Sequence, residues 1–193
     1  MSSNENSTMH SLEKSSPKSH EIDFSPEAVS QLLPPKLLAM YPDAKIDVIQ
    51  PTRVDEELTI LISSPSTVLE KVSLTKSILA EHDHGLLYFT IKFLSLKGES
   101  AQTIAYIPKH DDRPDIRHKG INAEFYEKLY IYLKSQGIKY VFGFNKIDRT
   151  SSHSHFFLEK LGRSKFDDLP DEFVEKIPDR FLAFKTLLTV QFL

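Results

Sequence analysis

Arg117-His118-Lys119-Gly120-Ile121-Asn122-Ala123 is the stretch on which the reading of this 193-residue chain turns. It opens a helix: Ile121, Phe125, Leu129 and Leu133 recur every four residues, and Ser135-Gln136-Gly137 closes the segment. Backbone N–H groups at a helix start have no intrahelical partner, and the helix dipole adds partial positive charge there. Gly120 lets the backbone approach an anionic group closely. Arg117 and Lys119 add formal charge, so the segment has the makings of a pyrophosphate cradle. A basic loop that happens to precede a helix fits the same residues equally well.

Downstream, Ile138–Phe144 is a compact run of β-branched and aromatic residues suited to a buried central strand. Upstream, Leu86–Leu96 and Ala101–Ile107 flank Lys97-Gly98-Glu99-Ser100 and predict a β-hairpin. The second hairpin strand, the helix and Ile138–Phe144 therefore form one β–α–β unit between about Ala101 and Phe144. Further out, alternation predicts strands over Ala44–Gln50 and Glu57–Ser63, and Phe181–Leu193 supplies a terminal strand. Ser25-Pro26 is a helix start, and Pro34-Pro35 splits the helical region there into pieces over 26–33 and 35–40. Leu69, Val72, Leu74, Ile78 and Leu79 fit a helix imperfectly, and a short helix over Ser154–Leu161 stops at Gly162. The sum is a single mixed α/β domain.

Composition narrows the function classes. Cysteine is absent, which excludes disulfides, a thiolate nucleophile, Cys-ligated zinc and iron–sulfur clusters together. The net charge of −3 counts against a protein that lives on nucleic-acid phosphates. No apolar run approaches the ~20 residues of a membrane helix, and the N-terminus lacks an apolar signal core, so a cytoplasmic location is expected. Met1–Phe24 holds seven serines between Ser2 and Ser19 and almost no apolar residues before Ile22. Such a segment cannot offset its ordering entropy by burial, so 1–24 reads as a disordered polar tail and 25–193 as the domain. Glu81-His82-Asp83-His84 and the His153/His155 pair lack a third ligand at metal spacing. No Gly-x-Ser-x-Gly elbow, Walker loop or His-Glu-x-x-His occurs.

Taken together, Arg117-x-x-Gly120, the helix to Ser135, Gln136-Gly137, the strand ending at Asn145 and Phe157-Leu158-Glu159-Lys160-Leu161-Gly162 resemble the GNAT superfamily of acyl-CoA-dependent N-acyltransferases. The resemblance covers about Ala101–Gly162. It implies a GNAT-like domain with a mixed central sheet and helices on both faces. It also implies transfer of an acyl group, acetyl or another, from a CoA or acyl-carrier thioester to an amine on a small molecule or a protein. Arg117, His118, Lys119, Gly120, Ile121, Asn122 and Ala123 would then bind the CoA pyrophosphate through backbone amides. Asn145 would lie at the end of a strand that splays from its neighbour to admit the pantetheine arm.

Three departures stand out. Asn122 occupies a place where the family has Gly or Ala. Leu158 falls where a tyrosine often protonates the leaving thiolate, and Leu cannot donate a proton. The extra segment Lys109–Ile116 separates the hairpin strand from the loop. Much of the rate in such a reaction comes from positioning and oxyanion stabilisation, so activity can survive without a general acid. A base is still needed, and His155 is the candidate, set in a polar Ser-His-Ser-His run that equally describes a surface histidine. His110, Asp111 and Asp112 lie past the hairpin strand, where substrate could approach. Two other readings stand beside this one. One is a catalytically silent GNAT-like module that binds acyl-CoA or a partner. The other is an unrelated α/β RNA-binding module, suggested by the aromatic run Lys139–Phe144.

Overall fold

The computed structural model describes residues 22–51, 57–66, 85–145 and 156–193. Seven strands form one sheet in the order β1-β2-β3-β4-β5-β7-β6. They are β1 (Lys45–Ile49), β2 (Leu58–Ser63), β3 (Gly85–Leu94), β4 (Ile104–Asp112), β5 (Tyr140–Phe144), β6 (Ser164–Lys165) and β7 (Leu188–Phe192). Every neighbouring pair is antiparallel except β4 and β5, which run parallel. The connection between them is the helix α3 (Ile121–Ser135), so the β–α–β unit read from the sequence is present. Two short helices precede the sheet. In α1 (Pro26–Ser30) the Ser25 hydroxyl accepts from the Ala28 amide and Pro occupies the first turn, while α2 (Pro35–Met40) starts on its own proline.

Side chains alternate across β5 and split the core in two. Val141 faces a cluster with Leu32 and Leu37 from the α1–α2 region and with Phe125, Leu129 and Leu133 of α3. Phe142 faces the opposite cluster, which holds Phe173, Ile177, Phe181, Leu188 and Val190. Short helical turns at Asp171–Val174 and Asp179–Leu182 supply this second layer. Helices therefore cover both faces of a mixed sheet, as expected.

Four elements differ from the sequence expectations. The second hairpin strand does not stop at Ile107 but runs to Asp112, pairing Lys109, His110, Asp111 and Asp112 with Thr90, Phe89, Tyr88 and Leu87. Alternation hides this because Ile107 and Pro108 together oppose Ile91, a β-bulge at which a proline lacking its N–H is tolerated. Consequently only 113–116 separates the strand from the loop that starts at Arg117, not the whole of Lys109–Ile116. At the C-terminus the terminal strand begins at Leu188, since Pro178-Asp179 starts a helical turn instead. The described part of the helix expected over Ser154–Leu161 is a π-helical turn, Phe156–Lys160, in which the Leu161 amide donates to the Phe156 carbonyl. Ordered packing also begins earlier than Ser25. Phe24 is 5% exposed and packs its ring against Phe93 and Tyr132. Residues 1–21 and the helix expected around Leu69–Leu79 lie outside the described residues.

Candidate functional site

The parallel β4–β5 pairing is short. It joins Ile104, Ala105 and Tyr106 to Tyr140, Val141 and Phe142 and then ends. β4 continues through its bulge to Asp112, with its ladder to β3 intact. Beyond Tyr106 the ladder between β4 and β5 does not continue among the described residues, and the two central strands part. This is the opening the resemblance implied.

A cavity of about 390 Å³ lies at this opening. Its walls come from the end of β4 (His110, Asp112), the 113–120 loop (Ile116, Arg117, His118, Gly120), the first turn of α3 (Asn122, Ala123) and the π-helical turn (Phe156, Phe157, Lys160). The loop reaches α3 through two left-handed residues, His118 at φ 60° and Gly120 at φ 78°. Such a conformation turns successive amides toward one side, and a residue with a Cβ adopts it only at a cost. A Cβ on Gly120 would also meet the Lys36 Nζ at 3.3 Å. That ammonium is held 2.8 Å from Glu124, whose carboxylate also accepts from the Lys36 amide, so α2 is docked on the first turn of α3. Among the described residues, the amides of His118, Lys119 and Gly120 have no hydrogen-bond acceptor.

The sequence-derived binding residues separate into those at the cavity and those away from it. Arg117, His118, Gly120, Asn122 and Ala123 line the cavity. Ile121 is fully buried in the core, and Lys119 is exposed and does not line the cavity. Asn145 also stands apart, its Nδ2 donating to the Thr189 Oγ1 at 2.6 Å and its amide to the Leu187 carbonyl. It pins β5 to the β7 side. His155 lies outside the described residues.

Arg117 is engaged within the chain. Its Nε donates to the Asp112 Oδ1 at 2.6 Å and its terminal nitrogen to the Asp112 carbonyl at 2.8 Å. The other Asp112 oxygen accepts from the Asn122 Nδ2 at 2.6 Å. The side chain at the position where the family has Gly or Ala thus has a use here. It ties the start of α3 to the end of β4.

Sequence reasoning singled out His110 as lying where substrate could approach but missed the rings around it and the arginine beside them. His110 stacks face to face on Phe89, with ring centroids 4.6 Å apart, and meets the edge of Tyr126 at 5.7 Å. Phe157, a cavity wall, carries on its ring the guanidinium of Arg163 at 4.6 Å. Arg163 is 4% exposed and also lies over the rings of Tyr126 and Tyr130. Its Nε donates to the Tyr130 hydroxyl at 2.8 Å, while one terminal nitrogen is buried without a partner. Burial raises the Tyr130 phenol above its ordinary value, and the Arg163 charge opposes this without reversing it. The phenol therefore stays neutral at physiological pH and is no counter-ion. Gly143 makes room for this group: a Cβ there would stand 2.5 Å from an Arg163 nitrogen.

No group of three His, Cys, Asp or Glu side chains placed to hold a metal occurs among the described residues. No described helix is long and apolar enough to cross a membrane. No family model and no curated protein sequence matches the chain. Solved structures that it resembles include a GNAT-family acetyltransferase from Staphylococcus aureus Mu50, at 14% identity and TM-score 0.40 over 70% of this chain and 67% of that one. A GCN5-related N-acetyltransferase from Kribbella flavida is 10% identical, TM-score 0.42, over 82% and 76% of the two chains. The GNAT-family N-acetyltransferase YhbS from Escherichia coli, solved in complex with CoA, is 9% identical, TM-score 0.46, over 78% and 81%. With β4 and β5 parallel, joined through α3 and parting beyond Tyr106, the chain is a single mixed α/β fold.

Proposed function

We propose that the protein is an N-acyltransferase that takes an acyl group from a CoA thioester and passes it to an amine. The observation that carries this reading is the loop with left-handed His118 and Gly120, opening α3 onto a cavity where β4 leaves β5. Amides of 118–123 would hold the diphosphate at the helix start, where dipole and orphan N–H groups favour an anion. The pantetheine arm would run along β4 beyond Tyr106, where the ladder to β5 ends. At 390 Å³ the cavity accommodates the diphosphate end and part of the arm, not the whole cofactor.

In the reaction the amine nitrogen attacks the thioester carbonyl and forms the C–N bond. The carbonyl electrons move onto oxygen, where a β4 amide would stabilise them. The C–S bond then breaks, the amine proton passes to a base, and the thiolate leaves and is protonated. His110, which lines the cavity and packs against Phe89 and Tyr126, would be the base. His155 stays a second candidate. Leu158, half-buried in the π-helical turn, supplies no proton, so the thiolate would be protonated by solvent or by the imidazolium.

Leu158 also favours a second reading, a GNAT-like module that binds acyl-CoA without turning it over. Calorimetric titration with acetyl-CoA tests the binding common to both. Gly120→Glu, which places bulk and negative charge at the helix start, is expected to abolish binding. Arg117→Ala should weaken it less, because the backbone amides survive. Wild-type affinity in Gly120→Glu removes the cradle. Product formation over a panel of amines then separates enzyme from silent module.

A further inference from the structure

We infer that Asp112 is a built-in anion occupying the diphosphate end of the cleft. An incoming diphosphate must then take Arg117 and the start of α3 from it. This rests on the cleft being an acyl-CoA site, and it assigns Asp112 as the residue that sets affinity for phosphorylated donors.

Both carboxylate oxygens of Asp112 are committed. One takes the Arg117 Nε and the other the Asn122 side-chain amide, each at 2.6 Å, and the backbone carbonyl takes a second Arg117 nitrogen. Arg117 also lies 3.8 Å from the Asp111 carboxylate. Arg117, which lines the cavity beside the cradle, is therefore already paired with the chain's own oxygen atoms. Asn122 is the second residue of α3, so the carboxylate it holds stands at the positive end of the helix, where a ligand anion gains most. The side chain of Asp112 itself lines the cavity.

The orientation of Asn122 supports an anion holder. Turning its amide over would set the oxygen against a carboxylate oxygen, so the nitrogen must face Asp112. That choice leaves the Asn122 Oδ1 buried without a partner. The chain tolerates this orphaned acceptor in order to keep Asp112 in place. Electrostatically, two charges a few ångströms apart at a partly desolvated site interact strongly. A diphosphate arriving beside Asp112 meets repulsion from the carboxylate and an arginine already neutralised.

The test is titration of wild type and Asp112→Asn with two probes, CoA and acetyl-pantetheine, the second having the arm but no diphosphate. Asparagine keeps the size and hydrogen-bonding reach of the side chain, and circular dichroism checks that the variant is folded. CoA is expected to bind Asp112→Asn about tenfold or more tightly than wild type. Acetyl-pantetheine should bind both proteins alike. Arg117→Ala should weaken CoA binding more alongside Asp112→Asn, where the arginine is free for the diphosphate, than in the wild-type background, where Asp112 already holds it. Unchanged or weaker CoA binding in Asp112→Asn overturns the inference and makes Asp112 a positioning group for the loop. An equal gain with acetyl-pantetheine overturns it too, since the effect would not pass through the diphosphate. Absence of CoA binding to both proteins instead refutes the acyl-CoA reading on which the inference stands.

Discussion

Gly143→Ala should destabilise the protein, although the same change in a strand ordinarily favours folding. Gly143 lies in β5 and is not among the positive-φ glycines, so alanine meets no backbone strain there. By backbone entropy alone the substitution would stabilise by about 0.5–1 kcal/mol. Against this, the new methyl would stand 2.5 Å from an Arg163 nitrogen and 3.6 Å from its guanidinium carbon. The guanidinium must retreat by roughly an ångström to reach ordinary contact. It has little freedom to do so, with its Nε 2.8 Å from the Tyr130 hydroxyl and Phe157 beneath it. Overpacking costs about 1–3 kcal/mol, and losing a hydrogen bond from a charged donor about 1.5–3 kcal/mol. Because one displacement causes both, a net loss of ~2–4 kcal/mol is expected, a fall in Tm of about 5–15 °C for a chain of this size. The assay is thermal and urea unfolding of four proteins: wild type, Gly143→Ala, Arg163→Met and the double variant. In the Arg163→Met background the alanine should be neutral or mildly stabilising. A Gly143→Ala protein that melts with wild type, or an equal cost in both backgrounds, refutes the steric account.

Phe24→Ala should cost about 2–4 kcal/mol, because it removes a buried ring from Phe93 and Tyr132 near the chain's entry into the domain. Deleting 1–20 should leave Tm unchanged to within a degree or two; differential scanning calorimetry reads both. Burial raises the phenols of Tyr126 and Tyr130 above the ordinary value of 10.0. A raised folded value means their contribution to stability is complete below that pH and is lost as pH rises above it, since the unfolded chain ionises first. Phenolate absorbance in alkaline titration should therefore rise partly in step with unfolding, and Tyr126→Phe should move the alkaline midpoint upward. Early, reversible ionisation of every tyrosine before any loss of circular dichroism would contradict this. His110→Gln should lower turnover with an amine acceptor and leave CoA affinity within about twofold.

The β–α–β unit was legible because Ile121, Phe125, Leu129 and Leu133 all point inward and Tyr140–Phe144 is an unbroken run of aromatic residues, valine and glycine. Local pattern and tertiary packing agree there. The end of β4 was illegible for the opposite reason. Lys109-His110-Asp111-Asp112 carries no apolar alternation, and its strand character comes from backbone pairing with β3 across a bulge. The loop residues were found through glycine and charge, both local signals. Which charges remain available was not readable, since the Arg117–Asp112–Asn122 contacts depend on how a strand end meets a helix start. Arg163 was missed because nothing in the sequence says that a basic residue will sit beneath three rings.

The chain enters the domain at the far end of α3. The Asp23 carbonyl accepts from the Tyr132 hydroxyl, and its amide donates to the Gln136 side chain just past the helix. The cavity belongs to the other end, at Gly120 and Asn122. Fifteen residues at 1.5 Å each put roughly 22 Å between the two. Anything joined ahead of Ile22, whether a fluorophore, a surface linker or a fused carrier, therefore leaves the fold well away from the cleft.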